Sequence, residues 1–218
     1  MSGRTKDGEA TVPRSMYTEE YANPGLLASL SEQILRVSSY RPVNVLEVGI
    51  GNGFVSSFLR STGLNVTTFD INANLAPDVV GDVCELDRHF DKGAFDVVLC
   101  AEVLEHMPFD QSQLAIKKIA SVCRRRCLIT LPERQYRLLD IQAKVFIRLR
   151  RKFEFDINLF RSKSKGKISA LHHWEINHSP ETSMKNIKRI LGESFDIHEV
   201  SRSRLCPYHH FFVLDSKG

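Results

Sequence analysis

Residues 45–53, VLEVGIGNG, constrain this chain more than any other segment. An apolar run over 43–48 stops at three glycines in alternate positions, Gly49, Gly51 and Gly53, and residues 54–60 then read as a helix. A short uninterrupted apolar run suits a strand buried on both faces of a parallel sheet. Glycine suits a sharp turn and a close approach of backbone to a ligand. The helix start behind the turn offers free N–H groups to that ligand.

The rest of the chain repeats this alternation. Leu26, Leu27, Leu30, Ile34 and Leu35 recur at helical spacing after Pro24, which suits a helix start. Strands are expected at 65–70, 78–82, 95–100 and 126–131, with a helix at 111–122. After Pro132 the alternation stops. Residues 136–152 read as a helix, 179–191 as another that starts at Ser179-Pro180-Glu181, and 195–200 and 209–214 as a closely spaced strand pair. The expected fold class is α/β: a doubly wound, mostly parallel sheet in three α/β/α layers, closed by a C-terminal antiparallel hairpin. One domain is expected over 17–218, with a flexible leader at 1–16 and an insertion at about 133–170.

Composition narrows the class. The chain has 218 residues, 42% of them hydrophobic and 26% charged, enough for a core that needs no disulfides. Its five cysteines are odd in number and form no zinc-type pair of CxxC motifs, which suggests reduced thiols and a cytoplasmic location. No apolar run reaches the length of a membrane span, and residues 1–14 lack the apolar stretch of a secretory signal. A net charge of +4 implies no polyanionic partner by itself.

Two acids follow the glycine turn at telling places. Asp70 ends the second strand, where a carboxylate can accept both ribose hydroxyls of a nucleoside lying across the strand ends. Asp82 ends the third, with Val83 and Cys84 beside it, in reach of an adenine amino group. A nicotinamide cofactor fits poorly. Its pyrophosphate prefers G-x-G-x-x-G, whereas this chain has G-x-G-x-G preceded by Glu47, whose carboxylate would repel it.

On VLEVGIGNG, FDIN, GDVCEL, FDVVLCAEVLEHMP and LITLP, the chain resembles the class I S-adenosylmethionine-dependent methyltransferases, the type-11 group in particular. The resemblance covers about 40–132 clearly and 170–214 loosely, and implies a Rossmann-like sheet and S-adenosyl-L-methionine as cofactor. It places the glycine turn of Gly49, Gly51 and Gly53 against the methionine part of that cofactor. It has Glu47 orient the turn and the cofactor's amino group, Asp70 bind the ribose and Asp82 reach the adenine. Ile71, Val83 and Glu102 complete the expected cofactor set.

The AEVLEHMP segment at 101–108 follows the fourth strand, at the sheet end where open α/β proteins do their chemistry. His106 is the candidate catalytic base for an acceptor hydroxyl. In a few similar enzymes, among them small-RNA 2′-O-methyltransferases and quinone-pathway O-methyltransferases, the E-x-x-E-H run binds a divalent metal. The resemblance then offers Glu102, Glu105 and His106 as ligands, with a histidine of the later HHWE segment, His173, beside them. EVLEH without metal is the commoner case, and the expected site contains none.

The insertion is the most basic part of the chain, with Ile141, Val145, Phe146, Leu149 and Phe153 at helical spacing among Arg137, Lys144, Arg148, Arg150, Arg151 and Lys152. A basic amphipathic helix can lie on an anionic membrane surface, grip an anionic acceptor, or cover the sheet. Type-11 relatives point to O-methylation of a small molecule, sugar or lipid-linked glycan. Two other readings stay open: a metal-assisted RNA 2′-O-methyltransferase and a non-catalytic S-adenosylmethionine-binding module. Nucleic acid is not the expected partner, since no aromatic stacking platform or RNA module accompanies the basic run.

Overall fold

The computed structural model describes residues 10–19, 23–133, 136–147, 151–161 and 168–218. Its helices are α1 (Arg14–Glu19), α2 (Pro24–Ser39), α3 (Phe54–Ser61), α4 (Phe109–Val122) and α5 (Met184–Ser194). Its strands are β1 (Asn44–Val48), β2 (Asn65–Asp70), β3 (Val79–Val80), β4 (Phe95–Ala101), β5 (Cys123–Pro132), β6 (Tyr136–Ile147), β7 (Arg151–Arg161), β8 (Phe195–Arg202) and β9 (His209–Ser216).

Seven strands form one sheet in the order β3-β2-β1-β4-β5-β9-β8. The first five run parallel. β9 enters antiparallel between β5 and β8. The expected α/β sheet with a C-terminal antiparallel pair is therefore present. The order reverses between β1 and β4, which opens a crevice at their carboxyl ends.

The central strands are buried on both faces, as their unbroken apolar sequences require: Val97, Val98, Leu99 and Cys100 of β4 are at most 1% exposed. One apolar cluster joins Leu46, Val98 and Ile129 to α4 and α5 through Ile116, Ile119 and Leu191. The other joins Val45, Leu99 and Leu128 to α2 and α3 through Ile34, Val37, Val55 and Leu59. Helices thus cover both faces. Four of the five cysteines are buried and all five are free thiols.

The insertion differs from the expected helix. Residues 136–147 and 151–161 pair as a long antiparallel hairpin, a two-stranded sheet of its own. The reason is visible in the register, which sets Leu139 opposite Leu159, Ile141 opposite Ile157, Ala143 opposite Phe155 and Val145 opposite Phe153. In sequence the apolar residues alternate with polar ones, Asp140, Gln142 and Lys144 among them, a period of two. Arg148, Leu149 and Arg150, and the basic residues at 162–167, lie outside the described residues.

Two smaller boundaries also move. Helix α5 starts later than Ser179: Ser183 is its cap, and the Ser183 side chain accepts a hydrogen bond from the Asn186 N–H. The end of the expected flexible leader is packed, with Val12 5% exposed and its carbonyl accepting from Asn72 Nδ2 at 2.8 Å. Residues 1–9 lie outside the described residues.

Candidate active site

A cavity of about 370 Å³ opens over the carboxyl ends of β1, β2 and β4. Its walls include Glu47, Gly49, Gly51, Asp70, Ile71, Asp82, Val83, Glu102 and His106. Gly53, by contrast, lies outside the wall. It caps α3 in the left-handed region at φ 74°.

The turn is built on two further left-handed glycines, Gly49 at φ 81° and Gly51 at φ 52°. A Cβ on Gly49 would sit 2.2 Å from Val103 Cγ2, so the residue is also fixed by crowding. Asp70 holds the turn from the next strand. Its Oδ2 accepts from the Ile50 N–H at 2.9 Å and its Oδ1 from the Asn72 N–H at 2.8 Å. Asp82 starts a 3-10 turn, Val83–Arg88, by accepting from the Cys84 N–H at 2.9 Å. Both acids therefore shape backbone while facing the cavity. Each carboxylate oxygen can accept a further hydrogen bond.

Glu47 is 4% exposed, and its Oε2 has no hydrogen-bond partner. Burial pushes its carboxyl up to about 7, against the opposing pull of Ser56 and Arg60. A buried carboxyl with one open oxygen at the cavity wall fits a cationic ligand group, which would draw it back to the charged form.

At the end of β4, Glu102 adopts φ 53°, a left-handed conformation rare outside glycine. Its Oε1 accepts from Thr130 Oγ1 at 2.9 Å. Its Oε2 lies 3.3 Å from His209 Nε2. His209 Nδ1 in turn meets Ser29 Oγ of α2 at 2.8 Å. Glu102 is thus tied into the protein on both oxygens while lining the same cavity as the glycine turn.

Glu105 lies beneath the wall, with no exposure and no hydrogen-bond partner on either oxygen. Burial, then the Glu102 charge, hold its carboxyl well above the usual range. His106 Nε2 is 4.0 Å from Glu105 Oε1. The His106 ring meets His172 edge-on at 5.0 Å between centroids. One ligand atom each from Glu105, His106 and His172 falls within 4.8 Å of the other two, a spacing that can hold a metal ion. The histidine brought in from HHWE is therefore His172. His173, the expected one, instead donates its backbone N–H to the Glu105 carbonyl at 2.8 Å.

Sequence reading missed the residues that reach the cavity from afar. Ser29, Leu30 and Gln33 come from α2, Val12 and Met16 from the N-terminal segment, His209 from the start of β9 and Tyr208 from just before it. The one signal available for them was the polar cluster YHH at 208–210, out of place before the apolar FFVL.

Known proteins resemble the chain in sequence and in fold. Residues 46–131 match the profile of a family described as Methyltransferase domain. Over 81 residues the chain is 32% identical to a ubiquinone biosynthesis O-methyltransferase of Pectobacterium atrosepticum, a match that covers 31% of this chain and 34% of that protein. Its counterpart from Erwinia tasmaniensis is 36% identical over 81 residues, 31% of this chain and 33% of that protein. The matches thus span about a third of these curated relatives. Among solved structures, magnesium protoporphyrin IX methyltransferase from Synechocystis, with S-adenosylhomocysteine bound, superposes with a TM-score of 0.64 at 16% identity, covering 97% of this chain and 98% of that one. A 1,6-didemethyltoxoflavin-N1-methyltransferase of Burkholderia thailandensis gives a TM-score of 0.61 at 16% identity, covering 100% and 93%. Residues 46–131 are thus similar to a methyltransferase domain of the type-11 kind, and the sheet has the Rossmann-like fold of the solved methyltransferases.

Proposed function

We propose that the chain is an S-adenosylmethionine-dependent methyltransferase that methylates a hydroxyl of a small organic acceptor. The observation that carries this reading is one cavity lined by two unlike sets of residues. The glycine turn, Glu47, Asp70 and Asp82 make up the first set, and Glu102, His106, His172 and His209 the second. Asp70 and Asp82 would accept from the ribose hydroxyls and the adenine amino group, and Glu47 would hold the amino group of the methionine part. The cofactor's sulfonium supplies an activated methyl group. What remains for the chain is to align the acceptor and take up its proton. His106, on the cavity wall, is placed to receive that proton as the oxygen gains the methyl group. The O-methyltransferase names of the curated relatives support an oxygen acceptor.

The test is calorimetry with S-adenosylmethionine and S-adenosylhomocysteine, then incubation with catechol and mass spectrometry for a gain of one methyl group. Binding with turnover supports the enzyme. Binding with no turnover on a wide panel of hydroxylated acceptors would favour a non-catalytic module.

A second reading adds a divalent cation at Glu105, His106 and His172. It is favoured by Glu105, a fully buried carboxyl whose two oxygens have no partner. Such a group is costly to bury unless something completes it. These residues fit a cation that accepts mixed carboxylate and imidazole donors. When bound, that cation would supply Lewis-acid help in ionising the acceptor hydroxyl.

A further inference from the structure

Behind His172 stands a second carboxylate. Glu175 is 1% exposed. Its Oε1 takes three contacts: the Ser169 N–H at 3.2 Å, the Tyr208 hydroxyl at 2.9 Å and His172 Nδ1 at 3.0 Å. A backbone N–H can only donate, so this oxygen serves as an acceptor. The His172 nitrogen that faces it must therefore carry the hydrogen. Donating from Nδ1 leaves the lone pair of a neutral imidazole on Nε2, the nitrogen turned away from Glu175.

We propose that Glu175 is the positioning residue of the cation site: with Tyr208 it holds His172 in the Nδ1–H form, so that Nε2 is the third donor beside Glu105 and His106. The proposal rests on the second reading above and deepens it. A carboxylate behind a ligating imidazole fixes the ring's orientation and tautomer and raises its basicity. Each part here is drawn from a different stretch of chain. Glu105 and His106 follow β4, His172 and Glu175 follow the hairpin insertion, and Tyr208 precedes β9. The segment after the insertion is itself pinned, because the Trp174 indole N–H donates to the Leu104 carbonyl at 3.1 Å and to Ser112 Oγ at 3.0 Å. Trp174 thus sets the height of HHWE against the Leu104–His106 turn, and Glu175 sets the rotation of the ring.

Two measurements on the full chain test this. In the metal-free protein, long-range nitrogen–proton correlation spectra should show His172 protonated on Nδ1 and bare on Nε2; the opposite tautomer overturns the proposal. Cobalt(II) is then titrated, with binding followed by calorimetry and by its visible absorption. The wild type should bind one ion with an imidazole-containing spectrum. Glu175→Gln should weaken binding roughly 10- to 100-fold, His172→Gln should weaken it further, and His173→Gln should leave it unchanged. A wild type that takes up no cobalt overturns the cation reading and the proposal with it. A wild type that binds, beside a Glu175→Gln variant that binds equally well, leaves the cation reading standing and removes Glu175 from it.

Discussion

The imidazole Nε2 of His209 lies 3.3 Å from the Oε2 of Glu102, joining the start of β9 to the end of β4. Through Ser29 the same ring also fastens α2 over the cavity. His209→Ala would strand the buried Ser29 hydroxyl and remove a partner from the left-handed Glu102. The expected loss is roughly 1–3 kcal/mol of folding stability. Urea denaturation measures it, and an unchanged midpoint and slope would show that this contact holds nothing in place.

At the glycine turn, crowding and backbone conformation can be separated. Gly49→Ala places a Cβ 2.2 Å from Val103 Cγ2 at φ 81°. It should destabilise the protein, and Val103→Ala in the same chain should restore part of the loss. Gly51→Asn should fold, because asparagine tolerates the left-handed region, yet it puts a side chain at the cavity wall. Its expected signature is a normal circular dichroism spectrum with S-adenosylmethionine affinity lost.

Glu47 links folding to pH in a definite direction. Its carboxyl lies at about 7 in the fold, above its ordinary 4.5. Between these values the folded chain binds more protons than the unfolded one, so stability falls as pH rises. The contribution is complete below pH 4.5 and is lost by the time the pH has passed 7, about 3 kcal/mol from a shift of 2.5. Glu105 adds a slope of the same sign. Glu47→Gln should therefore flatten the decline without abolishing it, in denaturation curves taken from pH 4.5 to 8. The variant should gain stability at pH 8 while losing cofactor affinity.

Asp70→Ala removes acceptors from the Ile50 and Asn72 N–H groups and from the proposed ribose contacts. Cofactor affinity should drop by roughly 1.5–3 kcal/mol for each charge-assisted hydrogen bond lost. Equal titration curves for variant and wild type would take Asp70 out of the site.

The hairpin should be separable from the cofactor end. Replacing residues 137–160 by a short glycine-serine link should leave the seven-stranded sheet folded and S-adenosylmethionine affinity unchanged, while acceptor turnover falls. The triple variant Arg148→Ala, Arg150→Ala, Arg151→Ala tests the membrane reading of the basic residues at 148–151. Wild type should sediment with phosphatidylglycerol-containing vesicles at low salt and release at high salt, and the variant should stay in the supernatant. Wild-type protein that ignores such vesicles would remove the membrane as a partner.

What the sequence made legible is local. The strand–glycine–helix turn, the acid that ends β2, the acid that follows β3, and the apolar strands each announce themselves within about ten residues. The hairpin was misread because Ile141 and Val145 satisfy a helical spacing and a period of two at once. Strict alternation at Phe153, Phe155, Ile157 and Leu159 was the better guide. The choice between His172 and His173 depends on which ring Glu175 and Tyr208 turn toward the cavity. The Ser29–His209 bond spans 180 residues, and no pattern within either segment encodes it.

The place of β9 in the sheet has a consequence for the order of assembly. Strand β9 sits between β5 and β8, and residues at its start and just before it close both ends of the insertion: Glu133, at the entrance, bonds His210, and Glu175, at the exit, bonds Tyr208. During synthesis β1, β2 and β4 can pair early, but β5 stays an open edge until β9 has emerged. The part of the cavity wall that Tyr208 and His209 supply can form only after that. A chain cut short before β9 would keep most of the cofactor cradle while leaving β5 as an exposed pairing edge, prone to self-association.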